Sequence, residues 1–236
     1  MSKMFTYNGK VMKTWNIFSG CKFDCKYCWA KSLITTRMKD TAKYKDCLFN
    51  PTFHEDTLKK TFNSFKPDEF VFVAPMGDIA FCPIGSMFAI FAVVKGFPQT
   101  KFLFCTKNPS IYDKFPVLDN IYYGCTIETN RSTTDYSKAP ITIARQIDMT
   151  KLKKHNKFIS IEPVMDFDLN IFKTWIAEIN PKIVEIGADN YGHNLPEPSG
   201  EKVESLISFM ETIGITVVRK QGLDRLTGVK NGTNIT

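Results

Sequence analysis

The sequence predicts an α/β protein, a single domain built as a partial (β/α) barrel of parallel strands. Segments rich in β-branched and aromatic residues alternate with helical patterns along the whole length, which is the signature of successive βα units. With 236 residues and 43% hydrophobic content, the chain suits one barrel core better than two ordinary domains. Each expected strand also ends in polar or small residues, and parallel α/β folds build their ligand sites at those strand ends.

Seven units are expected in order. The first strand, Lys13 to Phe18, runs directly into the loop Ser19-Gly20-Cys21-Lys22-Phe23-Asp24-Cys25-Lys26-Tyr27-Cys28. A helix begins near Trp29, a polar stretch reaches Asn50-Pro51, and an amphipathic helix near His54 to Phe65 puts Leu58, Phe62 and Phe65 on one face. Glu69 to Pro75 is the second strand, ending in Met76-Gly77-Asp78, and Pro83 opens the helix that stops near Gly96. Lys101 to Thr106 is the third strand and Ile121 to Ile127 the fourth. A long helical region follows from about Thr134 to Lys154, interrupted at Pro140. Lys157 to Ile161 is the fifth strand, followed by a helix from about Asp168 to Ile179, and Lys182 to Ile186 is the sixth. Ser199 caps a helix stopped by Gly214, and Ile215 to Val218 is the seventh strand, ending in Arg219-Lys220. Residues 1–226 form the barrel domain, and 227–236 read as a frayed polar tail.

A formal net charge of +7 favours anionic partners, although the lysines are scattered and a solvated lysine-rich face explains them better. The N-terminus has no apolar signal region and no stretch is long enough to span a membrane, so a cytoplasmic protein without membrane contact is expected. The chain has seven cysteines, three of them in one loop, which fits a reducing compartment better than a disulfide framework.

The loop carries the chemistry. Three cysteines spaced C-x3-C-x2-C, here Cys21, Cys25 and Cys28, can bind three separate irons of a cubane [4Fe-4S] cluster and leave the fourth iron open for a small molecule. The competing readings are a zinc site or a structural thiol cluster. Structural zinc wants four ligands, usually in two pairs, and the second pair is missing, so Cys47 or His54 would have to supply a remote fourth ligand.

The spacing, with the aromatic Tyr27 before the last cysteine, resembles the signature of the radical S-adenosylmethionine (SAM) superfamily. That resemblance implies that the open iron chelates SAM, and that one electron from the reduced cluster cleaves it to give a 5′-deoxyadenosyl radical that abstracts a substrate hydrogen. It further implies a one-electron donor such as flavodoxin or ferredoxin. Gly77 and Asp78 stand where the superfamily carries a glycine-rich turn whose carboxylate receives the SAM amino group, with a shorter acid and a single glycine here. Glu128 and Asn130 fall where polar residues hold the ribose, Tyr27 approaches the adenine through its backbone, and Ile161 and Glu162 occupy the strand whose apolar residue packs on adenine. Several segments together also resemble a prokaryotic and phage branch known chiefly as a domain of unknown function. These are Trp15-Asn16, Thr106-Lys107-Asn108-Pro109, Glu128-Thr129-Asn130, Ile159-Ser160-Ile161-Glu162-Pro163 and Lys220-Gln221-Gly222.

Other candidates come from strand ends. Cys82 lies just beyond the second strand, placed either as a hydrogen-atom donor at the mouth or as a small apolar filler. Cys105 and Cys125 read as core. Lys107, Arg219 and Lys220 are expected to cluster on the catalytic face and make it positive, which points to an anionic substrate, a nucleotide or nucleic acid ahead of a peptide. His193 is a candidate substrate contact, while His54 and His155 read as surface residues. The competing function is a non-catalytic iron-sulfur or zinc-binding regulatory module.

Overall fold

A computed structural model describes residues 6–7, 10–59, 61 and 64–228 of the chain. Its centre is a seven-stranded sheet of β1 (Lys13–Trp15), β2 (Phe70–Val73), β3 (Lys101–Thr106), β4 (Ile121–Thr126), β5 (Asn156–Ile161), β6 (Ile183–Ile186) and β7 (Thr216–Arg219). All neighbours pair in parallel and their spatial order is the sequence order. A sheet wound in one direction, with its helices on one side, curls into an α/β half-barrel.

The helices are α1 (Trp29–Thr36), α2 (Glu55–Lys59), α3 (Ile84–Gly96), α4 (Thr142–Lys151), α5 (Leu169–Ile179), α6 (Gly200–Thr212) and α7 (Asp224–Thr227). Ser199 caps α6 by accepting from the Lys202 amide. Thr227 therefore ends a helix, and the rest of the expected tail lies outside the described residues except Gly228. The expected helix through Phe65 is confined to α2, and Phe62 lies outside the described residues.

Parallel register places partners on the same face. Val73, Phe104, Tyr123, Cys125, Ile159, Ile161 and Ile186 face the helices in one large core. On the concave face, Phe70, Leu103, Tyr122, Phe158 and Ile183 join Met12 in a second apolar layer. Cys105, Thr126, Ser160 and Glu185 continue this face toward the C-terminal strand ends, as their register partners show.

Two expected elements are different. The first strand stops at Trp15, and Phe18–Gly20 forms a separate small sheet, parallel to Met76–Gly77 and antiparallel to Thr52–Phe53. The chain turns there because the Ile17 amide bonds back to the Trp15 carbonyl, and Ala74 takes a positive φ of 55° beside it. The long helical region is also shorter, since α4 begins only after Pro140 and residues 133–138 form a loop. A proline cannot continue the hydrogen-bond ladder of a preceding helical turn.

His54 is only partly exposed. Its Nε2 shares a 2.8 Å hydrogen bond with Ser19 Oγ, just before the cysteine loop. Burial, with Lys43 nearby, pushes its pKa down to about 4. The unfolded chain therefore takes up a proton that the folded chain refuses, so stability is full above the ordinary histidine value near 6.5 and declines as pH falls toward 4. Thermal melts across that window should show the decline, and His54→Gln should flatten it. An unchanged pH slope in the variant would rule His54 out as the source.

Candidate active site

The cysteine loop leaves the small sheet through two close backbone approaches. Gly20 has φ of +86°, and a Cβ there would meet the Asn50 carbonyl oxygen at 2.2 Å; one on Gly77 would meet the Gly20 carbonyl oxygen at 2.6 Å. Only glycine fits either place. After this exit, side chains alternate: Phe23, Cys25 and Tyr27 are buried, while Lys22, Asp24 and Lys26 are exposed. The buried set packs with Ala139, Met165 and Leu195, and Cys21 and Cys28 adjoin the same cluster.

Residues 133–138 strap this loop down. The Lys26 amide donates to the Tyr136 carbonyl (2.9 Å) and the Lys138 amide to the Phe23 carbonyl (2.7 Å), while Cys25 Sγ and Ser137 Oγ lie 3.0 Å apart. Cys28 Sγ accepts from the Lys31 amide at the N-terminus of α1, where backbone N–H groups favour negative charge. Burial pushes the Cys21 and Cys28 thiols up, so their thiolates need a cationic group beside them.

A fourth protein ligand is not near at hand. Cys47 packs against the cluster of Ala30, Ile34, Tyr44 and Met76, which Cys28 also adjoins, with its thiol directed at the Lys43 and Tyr44 carbonyls, and His54 Nε2 is engaged by Ser19. Among the described residues, no three His, Cys, Asp or Glu side chains converge as they would around a single metal ion. Three thiols presented by one short loop match the ligand number of a cubane cluster with one open iron, whereas a closed tetrahedral zinc site wants four.

Behind Tyr27 lies a buried charge network. Glu128, with 0% relative exposure, accepts from the Tyr27 hydroxyl, from Lys107 Nζ, and from Arg145 Nη1 at 2.8 Å. Burial would raise its pKa, but the Lys107 ammonium and Arg145 guanidinium hold it at about 2. Arg145 is itself fully buried and also donates to the Pro140 and Thr126 carbonyls. Asp78 is equally occupied, since its carboxylate accepts from the Ala80 amide (2.9 Å), Thr106 Oγ1 (2.5 Å) and the Lys107 amide (2.9 Å). It braces the turn after β2 against the end of β3.

A second network lines the concave face. Lys220 Nζ donates to Glu162 (2.5 Å) and lies 3.7 Å from Glu185, which accepts from Ser160 Oγ at 2.7 Å. Cys105 stands beside them, 3.7 Å from Thr126 Oγ1, with burial raising its thiol to about 12.

The structure corrects several expectations from sequence. Ile161 shares its face with Ile186 and Arg219, so it packs into the helix-side core at 0% exposure and cannot line the concave face. Arg219 points the same way and is bound through Nη1 and Nη2 to Glu204 of α6. Lys107 does face the loop but is neutralised by Glu128, and Lys220 by two glutamates, so the positive catalytic face is not formed. Cys82 packs against the helix-side core, whereas Cys105, expected in the core, faces the concave side. Glu128 and Asn130 have different partners, since Asn130 Oδ1 accepts from the Asp168 amide (2.8 Å) just before α5 while Glu128 is held by Tyr27, Lys107 and Arg145. His155 is likewise only partly exposed, its ring set edge-on against Tyr123 at 4.4 Å.

The family model described as a protein of unknown function, DUF5131, matches residues 9–184. The chain belongs to the DUF5131 family. No curated protein matches its sequence. Among solved structures, this DUF5131 protein is similar in fold to a mutant of spore photoproduct lyase, with TM-score 0.60 and 11% identity, covering 86% of this chain and 75% of that one. It is also similar to a second mutant of that lyase holding a dinucleoside spore photoproduct, with TM-score 0.55 and 10% identity, covering 84% of this chain and 60% of that one. The likeness is one of fold.

Sequence reasoning did not find Arg145, Ser137, Ser160 or Glu185. Glu185 alone had a legible signal, a charged residue inside an otherwise apolar strand.

Proposed function

We propose that this DUF5131 protein is a radical SAM enzyme in which Cys21, Cys25 and Cys28 hold a [4Fe-4S] cluster and SAM binds against the concave face. The observation that carries this reading is the presentation of three thiols, and no fourth, from a rigid loop at the ligand-binding edge of a parallel half-barrel. The cluster, when bound and reduced, supplies the electron that cleaves SAM to a hydrogen-abstracting 5′-deoxyadenosyl radical. The chain's own residues position and enclose. The network of Tyr27, Glu128, Lys107 and Arg145 fixes the inner wall of the loop, and preorganised groups of this kind hold reactants in place and keep water out. Gly77 and Asp78 remain candidates for receiving the SAM amino group, because Gly77 pairs with Gly20 at the root of the loop and Asp78 follows it.

A nucleotide or nucleic acid is the substrate class we favour, supported by a fold neighbour that holds a dinucleoside. Recognition would come from the mixed donors and acceptors of Ser160, Glu162, Glu185 and Lys220 rather than from a positive field. The alternative of a non-catalytic iron-sulfur or zinc module gives no role to this polar concave lining.

Anaerobic reconstitution tests the proposal. The protein should take up about four irons with labile sulfide, and reduction with dithionite should release methionine and 5′-deoxyadenosine from SAM. Short oligonucleotides should accelerate that release. Zinc without sulfide would overturn the enzyme reading, and indifference to every nucleotide would overturn the substrate class.

A further inference from the structure

The segment that leaves β6 toward α6 forms a closed loop over residues 187–196. Both of its ends are pinned to the β5–α5 connection, where the Val164 amide donates to the Gly187 carbonyl (2.7 Å) and the Asp166 amide to the Pro196 carbonyl (2.6 Å). A loop of this length with its ends together is a compact surface element packed by its own side chains. At its first end, a Cβ on Gly187 would meet Glu162 Oε1 at 2.9 Å, so the loop starts against the polar concave lining. Near its second end, Leu195 is buried in the cluster that contains Phe23, Cys25, Tyr27 and Met165. The loop therefore stands at the rim of the candidate active site, between the concave network and the cysteine loop.

Asp189 organises the tip. Its buried carboxylate accepts from the Tyr191 amide (3.2 Å) and the His193 amide (2.6 Å), and pairs with His193 Nδ1 at 2.6 Å. Asn190 Nδ2 donates to the Gln221 carbonyl (2.9 Å) and Arg225 Nη2 of α7 to the Asp189 carbonyl (3.2 Å), which fasten the same turn from outside. With Nδ1 committed to Asp189, His193 Nε2 makes no hydrogen bond among the described residues and the ring stays partly exposed. The Tyr191 ring lies 6.0 Å from it, inclined at 57°, and is 64% exposed. Among the described residues only one other aromatic ring is strongly exposed, Phe88 on α3. A tyrosine ring left in water forgoes the burial of a large apolar surface, and a fixed turn that holds it beside an unengaged imidazole nitrogen suits a flat ligand with polar edges.

We infer that this loop grips a single-stranded nucleic acid at the rim, with Tyr191 stacked on an unstacked base and His193 Nε2 bonded to the same nucleotide. The inference rests on the nucleotide reading of the concave face and deepens it, because the substrate is then a strand rather than a free nucleotide, with one nucleotide on the concave network and a neighbour on the rim. Phosphate clamping does not supply the grip, since Lys107, Arg219 and Lys220 are each paired with a glutamate. Stacking needs no positive field, and every base offers a π-face to an aromatic side chain. A base inside a duplex has both faces covered, so the ring requires a base that is single-stranded or turned out of the stack.

Fluorescence anisotropy of the reconstituted protein with a short labelled oligothymidylate tests the inference. Tyr191→Ala should lose affinity by on the order of tenfold, and Tyr191→Phe, which keeps the ring, should bind like the parent. His193→Asn, whose amide can keep the bond to Asp189 but lacks the Nε2 atom, should lose affinity by only a few-fold. Phe88→Ala removes an equally exposed ring from α3 and should bind like the parent. The Tyr191 and Phe88 variants should melt with the parent, because both rings reach solvent. Stacking has its own signature, so a 2-aminopurine base in the oligonucleotide should change its emission on binding to the parent and to Tyr191→Phe, and not to Tyr191→Ala. Unaltered affinity in Tyr191→Ala would overturn the inference and leave the nucleotide class standing, as would an equal loss in Phe88→Ala. Equal affinity for thymidine 5′-monophosphate and the oligonucleotide would overturn the strand in favour of a single nucleotide. A parent that binds neither would overturn the substrate class itself, and the inference with it.

Discussion

Replacing Cys21, Cys25 or Cys28 with alanine should each reduce iron uptake to background and abolish reductive SAM cleavage, while the melting temperature of the iron-free protein stays close to that of the parent. The expectation follows from ligand count. Three thiols serve three irons and the loop itself offers no substitute, since the Cys47 thiol is directed at the Lys43 and Tyr44 carbonyls and Cys82 and Cys125 face the helix-side core. Removing one thiolate from a three-point site leaves two, and the remaining backbone restraints cannot replace a metal-sulfur bond. The fold itself should tolerate the change, because a buried cysteine behaves as a small hydrophobe and the loop keeps its bonds to Tyr136 and Lys138. Cys47→Ala and Cys125→Ala should keep both iron and activity. Iron lost from Cys47→Ala but retained in Cys21→Ala would show that the site had been assigned to the wrong thiols.

Much of the fold was legible because strands buried on both faces read as short apolar runs. Lys101 to Thr106 is the clearest case, with the same bounds in sequence and structure. That legibility has a cost, since a run that is apolar throughout gives no parity. Ile161 and Glu162 are adjacent, as are Arg219 and Lys220, and in each pair only the second residue faces the concave side. Nothing within the strands distinguishes the two until the neighbours' register is known. The same uncertainty put Cys105 in the core alongside Cys125, whereas only Cys125 lies there.

Helix α4 was misleading in a different way. Its apolar residues Ile143 and Ile147 are spaced as a core stripe, yet they are 40% and 47% exposed, while Thr142, Arg145, Gln146 and Met149 form the buried face. Periodicity finds apolar faces, and this helix buries a polar one because Glu128 waits opposite it. The charge network was invisible to pattern reading for that reason. Glu128 was singled out, but as a ligand for ribose, and its two cationic partners lie 21 residues before and 17 residues after it.

Glu128→Gln should destabilise the protein by about 3–5 kcal/mol, the usual cost of removing one partner from a buried ion pair. Arg145 has no exposure and Lys107 little, so neither cation gains water in compensation when the carboxylate is lost. Against a total stability of about 5–15 kcal/mol, the variant should melt much earlier. Arg145→Met should cost less, because Glu128 would retain Lys107 and the Tyr27 hydroxyl. The double variant should be less destabilised than the sum, since the second change removes the charge that the first left unpaired. The pH dependence has a defined sign. Glu128 holds its folded pKa at about 2 against an ordinary value of 4.5, so its contribution is full above about 4.5 and is lost as pH falls toward 2. Chemical denaturation of the parent should weaken through that window, and Glu128→Gln should lose this part of the slope. A Glu128→Gln protein that denatures with the parent at neutral pH would show that the network is not the brace behind the cysteine loop.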